Sequence, residues 1–103
     1  MAILNTVLTT TPTAVYTSSG STVVNLLYFC NTSGTTKTVN LYLVPSAAGA
    51  AYANNQVYSN YAITSSDTLV VASEKMILSN GDAIYANANA NTSITTTVGY
   101  ITL

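Results

Sequence analysis

The sequence predicts an all-β domain, an antiparallel β-sandwich of about eight strands built as a single unit over residues 1–103. Three observations lead there. Thr, Val, Ile and Tyr fill the patterned stretches, and β-branched and aromatic side chains suit a pleated, half-buried surface. Short apolar–polar alternations recur at roughly 8–12-residue spacing with turn residues between them, the rhythm of a sandwich. No segment sustains a 3.6-residue apolar period over helix length. Pattern alone does not order strands, so jelly-roll and immunoglobulin-like topologies both stay open, with a small closed barrel as the other architecture.

The first strand is expected over 2–8, "AILNTVL", before the stiff run "TTTPT". Thr and Pro12 restrict the backbone, so residues 1–12 read as an N-terminal arm with a hinge as much as a first core strand. The next strands fall at 13–18 and 22–31, separated by "SSGS" at 18–21. The run from Val23 to Cys30 is apolar on both faces, as a central strand would be. After "TSGT" at 32–35 comes a strand at 36–45, with Val39, Leu41 and Leu43 facing one way and Thr38, Asn40 and Tyr42 the other. The Ala-rich "SAAGAAYANN" reads as a connection rather than a helix, because Gly and paired Asn oppose helix. Strands at 56–63 and 67–73 flank Ser65-Ser66, and Leu69 and Val71 oppose Thr68, Val70 and Ala72. Asn80-Gly81 is the strongest hairpin cue, since a type I′ turn needs positive φ at both central residues. In the strand at 82–89, Ile84, Ala86 and Ala88 face a tight core and the asparagines face out. The strand at 93–102 puts Ile94, Thr96, Val98 and Tyr100 on one face, with Thr95, Thr97 and Gly99 on the other.

Composition narrows the function. Hydrophobic residues make up 49% of the chain, so disorder is not expected. Charged residues make up only 5%, where a typical soluble domain has about 25%. A net charge of −1 provides no field to steer nucleic acid or an anionic membrane, and little repulsion between copies. No run approaches the roughly 18 apolar residues of a membrane span. The N-terminus lacks the basic and apolar regions of a signal peptide, so synthesis in a cytoplasm is the expectation. The single cysteine, Cys30, lies in "VVNLLYFC" and is expected to be a buried, inert thiol.

Reactive chemistry is scarce. The chain has no histidine, which removes the commonest general base and metal ligand. Lys37 lies beside a turn and Lys75 beside Glu74, as solvated strand ends do. Asp67 and Asp82 follow turn cues, where a carboxylate caps nearby backbone in an Asx-type hydrogen bond rather than forming a glycosidase pair or a calcium site. No catalytic residue, cofactor site or metal site is expected. The sequons at Asn31 and Asn91 arise by chance in a chain so rich in Asn, Ser and Thr. The eight tyrosines carry more information. Tyr buries area while keeping a polar handle, so "YANNQVYSNY", with Tyr52, Tyr58 and Tyr61, marks a candidate interface. Its alternative use is stacking on a sugar ring.

The C-terminal stretch "SSDTLVVASEKMILSNGDAIYANANANTSITTTVGYITL", residues 65–103, carries a Ser66-Asp67-Thr68 turn and an "L-x-N-G-D-x-I" element at Leu78, Asn80, Gly81, Asp82 and Ile84. A terminal "T-x-x-V-x-Y-I" strand follows. With "VNLLYFCNTSGTTKTVNLYLVPS" at 23–46, it resembles small virion structural proteins of tailed bacteriophages, especially those infecting cyanobacteria. Ala83 and the Ala-rich loop at 47–53 depart from that pattern. The resemblance implies a β-sandwich in a virion: a capsid cement or decoration protein contacting the major capsid protein, or a tail or baseplate piece. A carbohydrate-binding module reading a host surface glycan is the competing class. A homo-oligomer, trimer or dimer, is expected. Its candidate contacts are Ile3 and Leu4 near the start, the three tyrosines, and Ile101 and Leu103, which are apolar on the face opposite Val98 and Tyr100.

Overall fold

The computed structural model describes residues 2–71 and 76–103, and these form nine strands. They are β1 (Ala2–Val7), β2 (Thr13–Thr17), β3 (Thr22–Asn31), β4 (Lys37–Val44), β5 (Gln56–Ile63), β6 (Thr68–Val70), β7 (Met76–Leu78), β8 (Ala83–Ala88) and β9 (Ile94–Thr102). One sheet has the order β1-β9-β3-β6, with β7 also on β3; the other has the order β2-β8-β4-β5. All pairings are antiparallel. β6 pairs with Tyr28–Cys30 and β7 with Thr22–Val24, so the two short strands share one position along β3. The result is eight positions in two sheets, connected as a jelly roll. The all-β sandwich expected from the sequence is what the chain forms.

The turn cues are real, but most turn corners rather than hairpins. Chain order crosses between sheets after β1, β2, β3, β5, β7 and β8, and only β4 and β5 are consecutive neighbours in one sheet. Ser79–Asp82 shows the difference. Asp82 N–H donates to the Ser79 carbonyl at 3.0 Å, which closes the turn. Only Gly81, at φ +88, has positive φ; Asn80 does not. Positive φ at the third residue alone is the type II signature, so the expected type I′ hairpin is corrected. The physical reason is topology: β7 and β8 lie in different sheets, and no strand pair needs the twist that I′ supplies.

A β-bulge resets the alternation within β3. The register against β9 shifts between Val24 and Leu26, leaving Asn25 as the extra residue. Thr22 and Val24 point inward before it, and Leu27, Phe29 and Asn31 after it. The strand therefore has one buried face; Tyr28 is exposed on the other and Cys30 is half-buried there. Cys30 is thus not the fully buried thiol expected. The core joins Phe29, Leu27 and Val98 of one sheet to Val39, Leu41 and Ile84 of the other, all essentially without exposure. Ala86 and Ala88 are buried with Ile84, as the alternation required.

Residues Ala2–Val7 do not form a detached arm. They pair with β9 from Ala2↔Tyr100 to Val7↔Thr95, and Leu8 is wholly buried. The Ala-rich connection contains a single 3-10 turn, Ala53–Asn55. The expected strand at 67–73 is observed as Thr68–Val70. Readings of Ala72, Glu74 and Lys75 lie outside the described residues. β7 was not anticipated, being only three residues long.

Candidate functional site

The candidate contact residues fall into two groups. Ile3, Leu4, Ile101 and Leu103 belong to the β1–β9 side of the larger sheet, and all four are exposed. Tyr52, Tyr58 and Tyr61 sit at and before the β5 edge of the smaller sheet. Tyr58 and Tyr61 face each other with ring centroids 5.2 Å apart and planes tilted by 31°. Tyr58 also packs on the core, whereas Tyr61 is 46% exposed. Tyr52 stands apart and exposed.

Asp67 and Asp82 stabilise turns. Asp82 accepts from Ser46 N–H and Ser79 N–H, both at 2.9 Å. Asp67 accepts from Thr68 N–H at 2.8 Å and from the Thr64 hydroxyl at 3.3 Å. Both corners place positive φ two residues after the turn begins, at Ser66 (φ 61) and Gly81 (φ 88). Two surface hollows, of about 160 and 110 Å³, border Asp82 and Asp67 respectively. Both are well below the roughly 300–1,000 Å³ of a small-molecule site. Among the described residues, no three His, Cys, Asp or Glu side chains gather as a metal site, and no helix is long and apolar enough to cross a membrane.

Asn31, read only as a chance sequon, is fully buried and organises a corner. Its amide donates to the carbonyls of Thr35 at 2.9 Å and Ile63 at 2.8 Å, and its oxygen accepts from Ser33 N–H at 2.9 Å. Those bonds satisfy a buried amide and tie β3 to β5 across the two sheets. The "Asn-Thr-Ser-Gly" turn chemistry was the available signal for it.

The outer face of the larger sheet was missed as a whole. Register fixes its rows: Ile77 beside Val23 beside Ile101; Ile3 beside Gly99 beside Leu26; Asn5 beside Thr97 beside Tyr28 beside Val70; Val7 beside Thr95 beside Cys30. Ile77 is 73% exposed, Ile3 60%, Val70 54% and Val7 50%. No charged side chain occurs in these rows. The Thr97 hydroxyl donates to the Asn5 amide oxygen at 3.0 Å, which leaves the exposed Asn5 N–H groups to water. The smaller sheet differs: its outer rows pair Asn40 with Asn87 and Tyr42 with Tyr85. Gln56 and the Asn60 backbone both donate to Asn40. One sheet presents amides and phenols, the other presents Ile and Val. No family model, curated protein or solved structure matches the chain.

Proposed function

We propose that this chain is a structural protein of a phage virion, a capsid cement or decoration protein that stabilises contacts between major capsid proteins. The observation that supports it most is the exposed apolar face of the larger sheet, free of charge among the described residues, on a jelly roll whose Asp67 and Asp82 are engaged in turns. Such a face belongs under a partner, because exposed apolar patches beyond a few hundred Å² are rare on free monomers. Jelly rolls serve in viral capsids and in lectins alike, so fold analogy favours neither by itself. The resemblance of residues 23–46 and 65–103 to virion proteins tips the choice toward the virion. The chemistry asked of the protein is adhesion, with no turnover, cofactor or nucleic acid.

Quantitative mass spectrometry of purified virions tests this. Hundreds of copies per particle are expected for a cement protein. A few copies, or a few dozen, would move the assignment to the tail or baseplate. Absence from the particle, together with saturable binding on a glycan array, would replace it with a carbohydrate-binding role.

A further inference from the structure

We infer that Asn80-Gly81 is a spontaneous deamidation site whose reaction is held shut by the neighbouring corner of the fold. This rests on the geometry of that corner and not on the virion reading. The chain has one Asn-Gly pair. In such a pair the glycine nitrogen attacks the asparagine side-chain carbonyl carbon, because no Cβ hinders the approach and the glycine backbone turns freely. A bond forms between Gly81 N and Asn80 Cγ, and the bond from Cγ to Nδ2 breaks. Ammonia leaves, carrying the proton of the Gly81 amide. Water then opens the cyclic imide at one of its two carbonyls. Position 80 becomes aspartate or isoaspartate, with no oxidant or catalyst required.

Both reacting groups are engaged elsewhere, and by the same neighbour. Asn80 Oδ1 accepts from Gly20 N–H at 2.9 Å, and Gly81 N–H donates to the Ser18 carbonyl at 2.9 Å. The attacking nitrogen is thus aimed at Ser18 and the carbonyl under attack at Gly20, both in the corner between β2 and β3. Ser18 N–H donates in turn to the Asp82 carbonyl at 2.8 Å, which fastens the two corners from the other side. Bringing Gly81 N onto Asn80 Cγ requires rotation about the Asn80 backbone and side chain. The bonds to Ser18 and Gly20 must break first. Asn80 itself is exposed, so water is at hand and only the geometry withholds the reaction. The gate hangs on an edge: β2 has five residues and a bulge between Ala14 and Tyr16. Such elements open locally well before a whole domain unfolds. Each opening frees the pair, and reaction during it is one-way. Isoaspartate adds a carbon to the main chain of a tight turn, and either product sets a new carboxylate two residues from Asp82. The pair therefore records how long each copy has spent with this corner open.

Peptide-mapping mass spectrometry of the full chain, held in mildly alkaline buffer with and without denaturing urea, measures the rate at Asn80. In urea Asn80 should react faster than any other asparagine. In buffer alone it should react at least tenfold more slowly, a factor of about 1.4 kcal/mol. Ser18→Ala tests the gate. The Ser18 hydroxyl donates to the Gly20 carbonyl at 2.7 Å and to the Thr22 hydroxyl at 3.0 Å, so its loss loosens the corner without touching Asn80 or Gly81. The variant should react roughly threefold faster or more in buffer, and at an unchanged rate in urea. Asn31→Ala, at the opposite end of β3, should leave both rates unchanged. Circular dichroism confirms that each variant is folded. If Ser18→Ala fails to fold, amide hydrogen exchange of the intact chain takes its place, with the Gly20 and Gly81 N–H groups expected to be protected and to exchange together. A difference below tenfold between buffer and urea, or a faster asparagine elsewhere in urea, overturns the inference. So does a folded Ser18→Ala that reacts no faster than Asn31→Ala, or an unprotected Gly20 or Gly81 amide. None of these outcomes bears on the copy number in virions, so the two proposals fail separately.

Discussion

Replacing Gly81 by alanine tests the corner that joins the two sheets. Two costs add. The backbone there has φ +88, a region that L residues enter at about 1–2 kcal/mol. A Cβ on Gly81 would also stand 2.8 Å from the Ser46 Cβ, against an optimum carbon separation of about 3.5–4.0 Å. Relief needs a shift of most of an ångström, and the turn is poorly placed to give it. Gly81 N–H donates to the Ser18 carbonyl at 2.9 Å, and Asp82 holds Ser46 N–H at 2.9 Å. Overpacking of this kind costs about 1–3 kcal/mol, so Gly81→Ala should lose about 2–5 kcal/mol in all. At roughly 4–8 °C per kcal/mol, the melting midpoint should fall by about 8–40 °C. Urea titration followed by circular dichroism measures the loss, and a Ser46→Gly background separates its causes. Removing the Ser46 Cβ abolishes the clash and leaves the φ cost, so the penalty should shrink by about 1–3 kcal/mol. A total loss below about 0.5 kcal/mol would refute both terms, and an unchanged loss beside Ser46→Gly would refute the steric one.

Ser66→Gly should act in the opposite direction, raising stability by about 0.5–1 kcal/mol in the same urea assay, because Ser66 holds φ 61 at the matching corner. Asn31→Ala should cost about 2–4 kcal/mol, since it takes a donor from the carbonyl of buried Ile63 and leaves a hole where a fully buried amide stood, while the Thr35 carbonyl keeps the Ser33 hydroxyl; a loss under 1 kcal/mol would show that water replaces the amide. Tyr16→Phe removes a 3.1 Å bond to Thr22 in the interior and should cost only about 0.5–1.5 kcal/mol, read from the thermal midpoint. Asp82→Ala frees the N–H groups of Ser46 and Ser79 and should cost about 1–3 kcal/mol, with neutral Asp82→Asn recovering part of it.

Local pattern located the strands well because each is short and bounded by turn residues. Lys37–Val44 and Gln56–Ile63 lie where alternation and turn cues put them. What pattern could not carry was partnership. A type I′ hairpin and a type II corner begin from the same Asn80-Gly81 pair, and only the sheet each strand joins distinguishes them. The Asn25 bulge is equally silent in composition, yet it decides which residues of β3 face outward. Ile101 stood out because period two set it opposite Val98 and Tyr100, and Ile3 because it lies in the apolar segment before the stiff "TTTPT" run. Val7, Val70 and Ile77 did not, since an outward Ile or Val is the same residue as an inward one until register is known. The apolar face therefore became visible as a unit only after the sheets were assembled.

The position of β1 has a consequence for how the chain reaches this fold. Its only strand partner among the described residues is β9, more than ninety positions away in sequence, as Ala2↔Tyr100 shows. Contacts so distant carry a loop-closure cost before they yield any stabilisation, which slows folding. During synthesis the segment "AILNTV" is made well before Ile94–Thr102 and waits unpaired until that strand has emerged. It has no charge and no proline to discourage pairing with the same segment of a neighbouring chain. The larger sheet can close only after synthesis has delivered β9, and the interval before that is when the chain depends most on dilution or a chaperone.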